Sequence, residues 1–227
     1  MTPLNARILF EDNHLIVVNK LPSEIVQGDK TGDKCLLDAV KEYIQQSTGK
    51  PGNVFAGLVH RIDRPVSGAV IFARTSKALS RMTAMMKSRD FSKTYLALVK
   101  TLPAEPQAEL AHFLAKNEKQ NKSYVCSETV AGAKLAQLSY RHLASSTSFH
   151  LIEIDLLTGR HHQIRAQMAA VGCPIAGDLK YGADRSNSDG SICLHAWKLA
   201  FEHPVRKTTV EIIAPLPDKM PWNLFVV

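Results

Sequence analysis

A chain of 227 residues has room for one substantial core or two small ones, and 45% hydrophobic with 22% charged residues is an ordinary globular balance that excludes long disorder. The formal charge of +7 favours a polyanionic partner without identifying it. Cys35, Cys126, Cys173 and Cys193 form no C-x-x-C pair, and no apolar run approaches a membrane span, so neither a zinc framework nor a transmembrane helix is expected and a cytoplasmic location is.

ARILFEDNHLIVVNK reads as two short strands around a polar turn at Glu11, Asp12 and Asn13, followed by a loop rich in Gly, Pro and charge. Leu36, Leu37, Val40, Tyr43 and Ile44 then recur at helical spacing, before a stop containing Gly49, Pro51 and Gly52. VFAGLVH and GAVIFAR read as apolar strands with HRIDRPVS between them. Thr75 or Ser76 caps a helix whose apolar face is Ala78, Leu79, Met82, Met85 and Met86, better read as core than as a partner groove.

KTYLALVK alternates as a strand with Lys93, Tyr95, Ala97 and Val99 on one face. From 103 to 134 the pattern weakens to short strands and surface loops. AQLSYRHLA and HLIEIDLL resume strand character, and TGRHHQIRAQMAAVG reads as turn plus helix with Ile164, Met168 and Val171 on its apolar side. The tail holds two strands around a His-Pro turn. The sum is an α+β protein with about three helices; a doubly wound nucleotide-binding fold is disfavoured, because strand and helix alternate irregularly and no G-x-G-x-x-G opens a helix.

Three places carry chemistry-bearing residues. In HRIDRPVS, Asp63 lies between Arg61 and Arg64; their charge favours its ionised form, suited to a nucleophile, although the same cluster could simply pin a turn. Tyr95 could offer an aromatic platform for a base, or merely pack in its sheet. In TGRHHQIR, basic residues in the first turns of a helix invite a nearby anion, and Arg165 could pair with an internal carboxylate; solubilisation of the surface is the competing reading. Metal binding by His161 and His162 is disfavoured, since adjacent histidines do not share a helical face. No Walker loop supports phosphoryl transfer. Asp155 and Asp178 are available to a hydrolase, but without a local cue tying either to Asp63.

HRIDRPVSG at 60–68 closely resembles the signature of the RluA-type pseudouridine synthases. The resemblance continues through GAVIFARTSKALSRM, KTYLALV and LLTGRHHQIRAQMAAVGCPIAGDLKYG, and more weakly through LHAWKLAFEHP. It implies Asp63 as the carboxylate of glycosidic-bond cleavage, Tyr95 as the ring against the target base, Arg165 as the partner of that carboxylate, and Arg61 as the side chain entering the RNA. Arg64, Lys93, Arg160 and His162 complete the expected RNA-binding set.

The implied fold is a mixed, mainly antiparallel bent central sheet with flanking helices and a central RNA-binding cleft. Residues 1–227 are expected to form a single catalytic domain of two closely packed halves, without the small N-terminal RNA-binding domain of many relatives. The implied partner is structured RNA, tRNA or rRNA, with no cofactor, no metal, no membrane and no obligate protein partner, and a monomer is expected. Pro65, Val66 and His161 depart from the family's usual residues, and Leu21 interrupts its Lys-Pro step. A non-catalytic RNA-binding or assembly factor and a nucleoside hydrolase are the competing functions.

Overall fold

The computed structural model describes residues 2–28, 32–49, 52–88 and 90–227. In chain order the elements are β1 (Ile8–Glu11), β2 (Leu15–Lys20), α1 (Leu36–Thr48), β3 (Gly57–Leu58), β4 (Ser67–Ala73), α2 (Ser76–Ser88), β5 (Phe91–Val99), β6 (Gln107–Asn117), β7 (Lys122–Cys126), β8 (Lys134–Ser145), β9 (His150–Leu156), α3 (Gln163–Ala170), β10 (Leu194–Glu202) and β11 (Thr209–Ile213). The chain forms two compact units, Met1–Ser92 with Ala196–Pro215, and Lys93–His195 with Leu216–Val227. The expected α+β class, antiparallel sheet structure and flanking helices are all present.

In the first unit the hydrogen-bonded order is β1-β2-β4-β10, with β3 on β4 and β11 on β10. The turn between β1 and β2 forms because the Asp12 carboxylate accepts the amides of His14 and Leu15, each at 2.8 Å, imitating a backbone turn. The first amides of α1 donate to the carbonyls of Ile25 and Val26, and Gly49 ends the helix in the left-handed conformation. Thr75 caps α2 through its hydroxyl, which accepts the Ala78 amide at 3.1 Å. Ala78 and Met82 are fully buried, and Leu79, Met85 and Met86 pack against the same core as Leu15, Val17, Ile71 and Phe201. The methionines are therefore core, as their spacing suggested.

Gly68 fixes how closely two strands approach. Its φ of +115° is a conformation that L side chains rarely adopt, and a Cβ there would stand 2.3 Å from the carbonyl oxygen of Ala196 on β10. A Gly68→Ala variant should therefore lose about 3 kcal/mol or more of stability in urea denaturation, strain and overpacking acting together.

In the second unit the order is β5-β9-β8-β6-β7, every registered pair antiparallel. The region read as short strands and loops is instead a long hairpin, because β6 runs eleven residues from Gln107 to Asn117. Its outer positions are polar and exposed, which obscures its alternation. Conversely, VFAGLVH yields only the two-residue β3, while the rest of that stretch lies outside any strand. The helix of the TGRHHQIR block begins at Gln163, so Arg160, His161 and His162 precede it rather than forming its first turns. From Gln163 to Met168 every residue of α3 is buried, so it is a core helix rather than an amphipathic one.

Candidate active site

Asp63 opens a tight turn in the first unit: the Val66 amide donates to its carbonyl at 3.0 Å. The following carbonyl, that of Arg64, accepts two hydrogen bonds, from the Ser23 amide at 2.9 Å and from the Lys20 ammonium at 3.0 Å. The turn is thus tied through its main chain to the loop after β2. Asp63 is half-buried and Arg61 exposed, while the Arg64 guanidinium lies 2.9 Å from Asp33 on the surface. His60, beside this turn, accepts the Ile71 amide through Nε2 at 3.3 Å.

Lys20 is the residue of this region that the sequence reading missed. It ends β2 on the same face as Ile16 and Val18 and is fully buried. Its ammonium donates to the carbonyls of Leu21, Glu24 and Arg64 at 2.9, 2.8 and 3.0 Å. Burial pushes its pKa down to about 7, against the opposing pull of Glu24 and Asp63. Glu24 is itself clamped by Arg7, at 2.7 and 3.0 Å, and accepts the Leu21 amide. One signal was available: a lysine at a core-facing position of an otherwise apolar strand needs internal acceptors.

In the second unit Tyr95 lies on β5 opposite Ile154 and is 7% exposed. From Thr94 to Val99 both faces of this strand are buried, so its alternation separates two packed surfaces rather than core from solvent. Lys93 is half-buried, which lowers its pKa, and its Nζ approaches Gly159 closely enough to lie 3.6 Å from where a Cβ would sit. Lys93 therefore adjoins the turn that carries Arg160 and His162.

That turn is knitted by Gln163, whose Oε1 accepts the Thr158 hydroxyl at 2.7 Å and the Arg160 amide at 3.0 Å. Arg160 is exposed and donates through Nε to the Leu135 carbonyl at 3.0 Å. His162 takes a left-handed conformation with φ of 51°, and its ring stacks on that of His161 at 3.8 Å. Burial first, and the nearby cations second, push the His162 pKa down to about 2. Its imidazole is neutral at physiological pH, so any RNA contact it makes is a hydrogen bond rather than an ion pair.

Arg165 is buried on α3. Its Nε and Nη2 donate to the two oxygens of Asp178 at 2.7 and 2.8 Å, so within this unit it pairs with an internal carboxylate. The guanidinium carbon also lies 5.0 Å from the centre of the Tyr181 ring. The Tyr181 hydroxyl accepts the Ser123 amide at 2.9 Å and stands 3.0 Å from His162 Nδ1.

A concavity of about 450 Å³ on the other face of this sheet is lined by Glu109, Arg141, Glu153 and Asp155 among others. Asp155 pairs with Thr94, next to Tyr95 in β5, and so points away from the tyrosine. Its excess of carboxylates is unsuited to a polyanion. Among the described residues no group of His, Cys, Asp or Glu could hold a metal ion.

The residues assigned to the reaction are thus divided between the units, with Asp63 in the first and Tyr95 and Arg165 in the second. Lys93, Arg160, His162 and Arg165 are held around one turn-helix, whereas Arg61 and Arg64 flank Asp63.

A family model described as RNA pseudouridylate synthase matches residues 14–170. The chain is 31% identical over 221 residues to an RNA pseudouridine synthase of Bacillus subtilis, covering 96% of this chain and 71% of that protein. It is 32% identical over 223 residues to the ribosomal large subunit pseudouridine synthase D of Nitrosomonas europaea, covering 94% of this chain and 63% of that one. Among solved structures, human RNA pseudouridylate synthase domain containing 4 superposes with a TM-score of 0.78 at 22% identity, over 95% of this chain and 90% of that chain, which bears on the fold. Human RNA pseudouridylate synthase domain containing 1 superposes with a TM-score of 0.71 at 25% identity, over 93% and 83% of the respective chains. With the motif order, the matched span and these identities agreeing, the chain belongs to the RluA-type family of RNA pseudouridine synthases, which are isomerases.

Proposed function

We propose that the chain converts uridine to pseudouridine in a structured tRNA or rRNA, with Asp63, Tyr95 and Arg165 at the reacting centre. The observation that carries this reading is the family match over residues 14–170, a span that includes all three. The reaction breaks the N1–C1′ bond, rotates the base and forms C5–C1′, with a proton lost from C5 and one gained at N1. Atoms and electrons balance without an oxidant, a metal or an external donor, so no cofactor enters the scheme.

An ionised Asp63 serves either as nucleophile or as the anion that stabilises a cleaved sugar, while Tyr95 packs on the extruded base and Arg165 supplies positive charge. Arg61, Arg64, Lys93 and Arg160 suit phosphates, and His162 a neutral hydrogen bond. In this reading the two units act as one catalytic domain with RNA in a cleft, and the protein works as a cytoplasmic monomer.

Site-resolved pseudouridine mapping tests the assignment. Total RNA from source cells lacking the gene is incubated with wild-type protein or with Asp63→Asn, and one or a few uridines should be converted by the wild type alone. RNA that binds both proteins and gains no pseudouridine from either would favour a non-catalytic binding factor. Released free uracil would favour a hydrolase.

A further inference from the structure

Arg165 has five N–H donors in one plane, and Asp178 engages one edge of that plane, Nε and Nη2. Both Nη1 hydrogens and the second Nη2 hydrogen point elsewhere, so the carboxylate that holds the guanidinium also fixes the direction in which its other donors face. The side chains of Arg165 and Asp178 are 6% and 1% exposed, so little solvent competes for either. The Tyr181 ring restricts the guanidinium from a second direction, and that ring is anchored by the Ser123 amide.

Asp178 is fixed in turn. Its carbonyl accepts the amides of Tyr181 and Ala183 at 3.0 and 3.1 Å, and the preceding Gly177, at φ of +87°, lies so close to Asn187 and Ser191 that a Cβ would meet them at 2.8 and 2.9 Å.

From this geometry we infer that Asp178 and Tyr181 are positioning residues for Arg165 in the isomerisation, an inference that rests on the proposed assignment of Arg165 to the reacting centre. Asp178 sets the angle of the guanidinium and Tyr181 limits its tilt, so both act on the rate through Arg165 and neither touches the RNA. Misplacement of a reacting group by about 1 Å can cost on the order of a hundredfold in rate, which sets the scale of the expected effect.

The test is a double-mutant cycle under single-turnover conditions, following tritium release from total RNA labelled at uridine C5, with RNA affinity and circular dichroism measured in parallel. Asp178→Asn should slow release by about 30- to 100-fold with affinity within about threefold of wild type. In an Arg165→Met background the same change should cost less than about threefold, because there is no guanidinium left to aim. Equal losses in both backgrounds would overturn the proposal, since Asp178 would then act independently of Arg165. An unchanged rate in Asp178→Asn, beside a slow Arg165→Met, would overturn it too. Full activity in Arg165→Met alone would instead sink the assignment of Arg165, and the proposal with it. If Asp178→Asn does not fold, Tyr181→Leu carries the cycle: about a tenfold loss with Arg165 present and none with Met supports the role, and any other pattern refutes it.

Discussion

Replacing Asp63 with Asn should lower the single-turnover rate of isomerisation by about 10⁴-fold or more, the scale on which removal of a nucleophile acts. Asparagine keeps the size of the side chain and removes its charge, so it can neither attack C1′ nor stabilise positive charge developing on the sugar. The hydrogen bonds that hold the turn are made by the carbonyls of Asp63 and Arg64, which the substitution leaves in place. RNA affinity should therefore stay within about threefold of wild type, since phosphate contacts supply most of the binding. Asp63→Glu, which moves the carboxylate outward by one methylene, should retain charge and still lose about 10²-fold or more. Comparable rates for wild type and Asn would remove Asp63 from the chemistry.

Lys20→Met should destabilise the first unit by about 3 kcal/mol at pH 6, where the ammonium carries three donors, because three part-buried carbonyls lose them and each unsatisfied polar group costs about 1–3 kcal/mol. The effect depends on pH in a defined direction. The lysine has a pKa of about 7 when folded, against the ordinary lysine value of 10.5, so between these pH values the unfolded chain binds more protons than the folded one. Wild-type stability should rise with pH across that window, at up to about 1.4 kcal/mol per unit, and level off beyond both ends. Denaturation curves of the two proteins from pH 6 to pH 11 should therefore diverge above pH 7. A constant gap would mean that Lys20 titrates alike in both states. The same variant should slow isomerisation about tenfold, since the Arg64 carbonyl in the Asp63 turn loses its hydrogen bond from Lys20.

The sequence made some of these features readable and hid others for physical reasons. The core of the first unit was legible because Leu15, Val17, Ile71 and Met82 repeat at the periods of strand and helix. Asp63 was legible as a charged residue beside a buried strand, and Tyr95 as a strand residue, yet only the ordered motifs singled out both for one reaction. The hairpin of β6 and β7 was hidden, since its exposed polar positions resemble those of a loop. Lys20 and Asp178 were hidden more deeply. A buried charge is confirmed by its partners, and some of these come from outside the local pattern: Arg64 lies 44 residues from Lys20, and Arg165 thirteen from Asp178. The neutrality of His162 likewise follows from burial and from cations that no local pattern brings together.

The main-chain anchoring of the Asp63 turn explains why the unusual residues within it are tolerated. Its closing hydrogen bond uses the amide of Val66, and its external anchor uses the carbonyl of Arg64. Proline at 65 therefore deletes an amide hydrogen on which the turn does not depend, and it narrows the conformations open to the unfolded chain. The exposed side chain at 64 and the half-buried one at 65 can diversify while the carboxylate keeps its place, whereas the buried Val66 is held by packing. The scaffold of this turn and the chemistry of its exposed side chains are written in separable parts of the same four residues.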